Sequence, residues 1–162
     1  MKLEGMYLNG SFQNAYVTRR LDHAVALVTE RHGISNWVYF EPQMQVYTAT
    51  DGYGPCHVKV ALAWAGALQI ELIEPVSGNL RHYLEYLPAD QSDLSPRHHH
   101  ICTRVMDWDK ARAEVDQKRW PIAFEGGVEG CKFVYIDARE SLGHYVEYMW
   151  MSPELWAMSG GQ

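Results

Sequence analysis

The stretch "RHHHICTRVMDWDKARAEV", residues 97–115, sets three histidines ahead of a short β-prone run and then passes straight into a helical pattern. The chain uses this strand-then-helix unit twice. A shift of 87 residues carries Asp22 onto Asp109, Ala24 onto Ala111, Ala26 onto Ala113 and Val28 onto Val115. The earlier copy is "QNAYVTRRLDHAVALVTERHG", residues 13–33. Its β-prone run is Gln13–Thr18, and Leu21, Ala24, Val25 and Val28 follow at helical spacing, with Gly33 placed to end the helix. The shift also brings Gln13 onto His100, each at the start of its strand.

Working outward, "NWVYFEP", "MQVYTAT", "CHVKVALAW" and "ALQIELIEP" are β-branched and aromatic runs, punctuated by Pro42, Asp51-Gly52, Gly54-Pro55 and Gly66. A polar bridge with a short helical pattern near Leu80–Tyr86 leads to the second unit. At the ends of the halves "LQIELIEP" meets "HYVEYMWM", and Glu71 falls on Glu147 at a shift of 76 residues, so the second half is the shorter. The division is a first module at 10–76, a linker at 77–96, a second module at 97–152 and a short C-terminal tail, all in one domain spanning 1–162.

Composition narrows the function. With 47% apolar and 21% charged residues in 162, the chain suits one globular domain, and no window approaches a membrane span. The N-terminal residues show no signal-peptide pattern, so the expected address is cytoplasmic. The 14 basic residues are dispersed and the net charge is −6, poor footing for nucleic acid. Cys56, Cys102 and Cys131 have neither disulfide nor zinc-knuckle spacing and read as small buried hydrophobes.

Four metal-competent side chains therefore occupy matching places in the two halves: Gln13 and Glu71 in the first, His100 and Glu147 in the second. Strand alternation puts Tyr145 and Met149 on the face of Glu147, and Gln69 and Ile73 on that of Glu71, with Ile70 and Leu72 behind. By the same rule His98 shares the face of His100 and borders the site, whereas His99 points away. Tyr145, Met149, Gln69 and His98 are thus the expected pocket residues, with Trp64, Tyr47 and Tyr135 as further aromatic candidates. A glutamate in an apolar strand is costly to bury alone, which favours a metal. One amide oxygen, one imidazole and two carboxylates suit Zn, Ni, Co, Mn or Fe as a divalent ion.

The openings "QNAYVTRRLDHAV" and "HICTRVMDWDKAR", with "IELIEP" and "GHYVEYM" closing the halves, resemble the vicinal oxygen chelate superfamily of glyoxalases, methylmalonyl-CoA epimerases, extradiol dioxygenases and bleomycin-resistance proteins. The likeness spans about Gly10 to Met151. It implies an α+β fold in which two βαβββ modules form curved mixed sheets around a central metal cavity, with Gln13, Glu71, His100 and Glu147 as ligands. The ligand pattern is most similar to that of glyoxalase I; an epimerase would be expected to have histidine at 13 and glutamine at 71, and a dioxygenase histidine at 71.

The expected activity is that of a metal-dependent lyase or isomerase. It would remove a proton next to a metal-bound carbonyl or hydroxyl of a small molecule, through an enediolate or enolate, with Glu147 as base and Glu71 as the alternative. The competing readings are a small-molecule binding protein with a vestigial site and a ring-cleaving dioxygenase. Arg19, Arg20 and Arg104 are the residues that could serve a glutathione or coenzyme A handle. Exposed sheet edges and the two tryptophans of "WMSPELWAM" suggest a homodimer.

Overall fold

The computed structural model describes residue 3 and residues 5–161. Module 1 runs β1 (Ser11–Val17), α1 (Leu21–His32), β2 (Val38–Phe40), β3 (Gln43–Thr48), β4 (Gly52–Ala65) and β5 (Leu68–Gly78). A short α2 (Arg81–Leu84) lies in the linker. Module 2 runs β6 (Arg97–Arg104), α3 (Trp108–Gln117), β7 (Ile122–Val128), β8 (Cys131–Asp137), α4 (Arg139–Leu142) and β9 (Tyr145–Met151), and α5 (Pro153–Met158) forms the tail. Local chemistry sets the helix ends. Gly33 stops α1 in the left-handed region at φ 68°, its N–H donating to the Thr29 carbonyl. The Asp107 carboxylate caps α3 by accepting from the Lys110 N–H, and the Ser152 hydroxyl caps α5 just before Pro153.

β2 and β3 are one strand with a break. Phe40 faces Val60 and Gln43 faces His57 on β4, a single unbroken register across Glu41-Pro42. Proline has no N–H to give the ladder there, although its carbonyl still accepts from the Val58 N–H at 3.3 Å. With that break counted as internal, both modules are βαβββ.

The strands close a ring in the order β4-β3-β7-β8-β9-β6-β1-β5, with β5 returning to β4. Two antiparallel seams join the modules, β1 with β6 and β3 with β7. In the first, Gln13 opposes Cys102 and Ala15 opposes His100, a pattern that the shift of 87 residues maps onto itself. Both modules of one chain thus build one cavity. The ring interior is packed by Val17, Val46, Leu62, Phe124, Phe133, Tyr135 and Tyr145 among others. Outside, α1 covers Ile70 and Leu72 of β5, and α3 covers Val146 and Tyr148 of β9, so alternation sends Glu71 and Glu147 inward.

Two grounds for expecting a homodimer change. The ring pairs the edges that a split pair of sheets would leave open. Trp156 packs on Phe12 and Trp64, with the Arg104 guanidinium 3.8 Å above its ring. All three cysteines are buried free thiols. Among the described residues no helix is long and apolar enough to cross a membrane.

Candidate metal centre

Glu71, His100 and Glu147 converge at the ring's centre, with one donor atom from each lying within 4.8 Å of the others. The His100 Nε2 is 3.0 Å from a Glu147 oxygen and 3.3 Å from a Glu71 oxygen, and the imidazole is wholly buried. Two donors each about 2.1 Å from one ion lie about 3.0 Å apart at right angles and about 3.4 Å apart at the tetrahedral angle. The observed separations therefore fit adjacent ligands of one divalent ion. Gln13 lies on the same face, in the cross-strand row Gln69, Gln13, Cys102, Glu147. Its Oε1 is buried without a protein partner, as an oxygen awaiting a cation would be.

The histidine triplet departs from simple alternation. His100 opposes Ala15 but His98 opposes Tyr16, so His99 is an extra residue in the ladder, a β-bulge. The bulge turns His99 inward beside His100. His98 goes outward, where its ring packs on Tyr16 and His144. The expected assignments of His98 to the pocket and His99 to the far side are thus reversed. The seam holds a second bulge at Phe12, between Ser11 and Gln13, and the shift of 87 residues superposes Phe12 on His99.

Hydrogen bonds then orient both neutral ligands. The His82 carbonyl can only accept, so the His99 Nε2, 3.0 Å away, carries a proton. Burial holds the His99 pKa well below its usual value, keeping the ring neutral and its Nδ1 bare. The His100 Nδ1, at 2.8 Å from that nitrogen, must be the donor, which leaves the His100 Nε2 facing the carboxylates. Gln13 is held in a parallel way. The Ser159 carbonyl accepts from the Gln69 Nε2 at 3.3 Å, and the Gln69 Oε1 accepts from the Gln13 Nε2 at 2.7 Å, so the Gln13 Oε1 is the atom left free. Each chain starts at a backbone carbonyl and ends in a lone pair.

Without metal, a proton substitutes. Burial alone would lower the His100 pKa, but Glu147 and Glu71 outweigh it and raise it to about 9. Burial raises the Glu71 pKa, opposed by His100 and reinforced by Glu147.

Glu71 and Glu147 open onto a cavity of about 170 Å³ walled by Phe40, Met44, Val60, Phe133, Tyr135 and Met149. Of the expected pocket residues, Met149 lines it. Tyr145 packs instead on His99 and Tyr86, and Gln69 holds Gln13. Of the further aromatic candidates, Tyr135 is in the wall, Trp64 donates to the Ser159 carbonyl and Tyr47 packs on Tyr53. The arginines are engaged elsewhere: Arg19 with the Pro88 carbonyl, Arg20 with Asp22 and Arg104 over Trp156. Sequence reasoning missed the roles of His99 and Gln69, and the walls supplied by β2, β3 and β4.

The ring is shared with solved structures. The chain is similar to methylmalonyl-CoA epimerase from Mycobacterium tuberculosis, at 17% identity and TM-score 0.62 over 96% of this chain and 97% of that one. It is also similar to a Streptomyces coelicolor methylmalonyl-CoA epimerase in complex with 2-nitronate-propionyl-CoA, at 16% identity and TM-score 0.60 over 88% and 94%. No curated protein sequence matches it. The family model described as Glyoxalase/Bleomycin resistance protein/Dioxygenase superfamily matches residues 12–135. With two βαβββ modules closing one ring around Glu71, His100 and Glu147, and with the family model matching most of its length, the chain belongs to the glyoxalase/bleomycin resistance protein/dioxygenase superfamily.

Proposed function

We propose that this chain is a metal-dependent isomerase or lyase that moves a proton on the carbon beside a carbonyl or hydroxyl. The observation that carries this reading is the pair of carboxylates, one from each module, flanking a single buried imidazole and opening onto an apolar cavity. Gln13, Glu71, His100 and Glu147 would hold one divalent ion, which when bound would supply Lewis acidity for the charge developing on a substrate oxygen. The chain's own residues do the rest. Glu147 accepts the proton and Glu71, across His100, is placed to return one. His99 and Gln69 keep lone pairs of His100 and Gln13 turned inward. The apolar wall excludes water that would otherwise reprotonate the carbanion. A binding protein has no need of two acidic groups at the floor of an apolar cavity.

The test is exchange of a substrate's α-hydrogen with solvent deuterium, followed by NMR. Glu147→Gln keeps an oxygen donor but loses the proton acceptor, so exchange should fall on the order of 10²–10⁴-fold while metal content falls far less. Loss of exchange in Glu71→Gln with retention in Glu147→Gln would interchange the two roles. Full exchange in both variants would reject proton transfer by these carboxylates.

A further inference from the structure

The charge pattern of the cavity says what it accepts, an inference that rests on the reading of the site as a proton-transfer centre. Among the described residues the charged lining groups are all acidic: Glu71 and Glu147 at the floor and the exposed Glu129. No lysine or arginine is among them, and Arg19, Arg20 and Arg104 are engaged elsewhere. Filling the metal site does not reverse this. A divalent ion on two carboxylates, with a neutral amide and a neutral imidazole, leaves the site formally neutral; the charge of an enolate is matched because Glu147 has taken the proton, whereas a substrate that arrives as an anion brings no such compensation. A carboxylate or phosphate carried into such a cavity would lose water without a net positive charge to compensate.

Size sets the other limit. The cavity of about 170 Å³ is near the roughly 150 Å³ of an apolar cavity that takes one benzene ring. Three methionines of the wall, Met44, Met149 and Met151, are adaptable apolar contacts for such a ring.

We propose that the site takes a neutral, single-ring or similarly compact apolar compound bearing a carbonyl or hydroxyl next to the reacting carbon, and discriminates against substrates with an anionic group beside that carbon. This separates it from a substrate whose acyl part ends in a carboxylate.

Isothermal titration of the metal-loaded protein with two matched probes tests this: 2-hydroxyacetophenone and phenylglyoxylate. The neutral ketone should bind at least about tenfold more tightly than the carboxylate, and Glu129→Lys, at an exposed turn, should narrow that gap. Phenylglyoxylate binding as tightly as the ketone, or no binding of the ketone, would overturn the proposal. Deuterium exchange into 2-hydroxyacetophenone is followed separately. Tight binding without exchange would sink the enzymatic reading and leave the specificity standing, whereas exchange with preference for the anion would do the reverse.

Discussion

His99 and Gln69 offer no atom to the ion, yet each decides which atom of its neighbour does. His99→Phe keeps an aromatic ring among Tyr83, Tyr86 and Tyr145 but removes the acceptor that holds the His100 Nδ1–H. Divalent-metal affinity should fall about 10- to 100-fold, measured by competition with a chromophoric chelator, whereas His100→Ala and Glu71→Ala should abolish stoichiometric binding. Parent-like affinity in His99→Phe would refute the orienting role. Proton and metal compete for the same nitrogen, and His100 titrates at about 9 without metal. Metal uptake below that pH should therefore release a proton. Apparent affinity should climb roughly tenfold per pH unit and flatten above about 9. An affinity independent of pH between 6 and 8 would count against a protonated His100.

At the scale of elements, the β-bulges explain what was legible and what was not. β5 and β9 are regular where they carry Glu71 and Glu147, so period-two alternation placed both inward from sequence alone. In β6 the same rule failed at one residue, because an extra residue in a ladder leaves no mark in residue type. The role of α5 was hidden for a similar reason: it reaches the site through the Ser159 carbonyl, and every residue has a carbonyl. The cavity wall depended on ring closure, which decides which faces of β3 and β4 turn inward. Ending the chain at Ser152 removes that carbonyl, and with it the acceptor for both Gln69 and Trp64. Weaker metal binding and a red-shifted tryptophan emission should appear together. If emission shifts while affinity stays at the parent value, Gln13 does not depend on the tail.

For the whole molecule, the ring makes the two modules one cooperative unit. The β1–β6 and β3–β7 seams run between modules, and each module contributes two of the four donors. Residues 5–79 and 80–161 made as separate chains should bind no stoichiometric metal alone, and should recover it when refolded together; metal binding by one half would contradict a shared centre. Stability should carry the imprint of His100. Its folded pKa of about 9 stands above the ordinary 6.5. Its contribution in the metal-free protein is therefore fully present below about pH 6.5 and lost as pH rises through about 9. Urea midpoints of the metal-free protein should drop across that window, and the drop should shrink in His100→Gln.

Both orienting chains are moored to backbone carbonyls, at His82 and at Ser159. A side chain can drift in the course of descent; a carbonyl stays whatever residue carries it. The direction in which the two neutral ligands present their lone pairs is thus set by the path of the main chain rather than by the side chains at these two positions. Ser159→Ala, which deletes a hydroxyl that donates to the Trp156 carbonyl and leaves the Ser159 carbonyl in place, should bind metal like the parent.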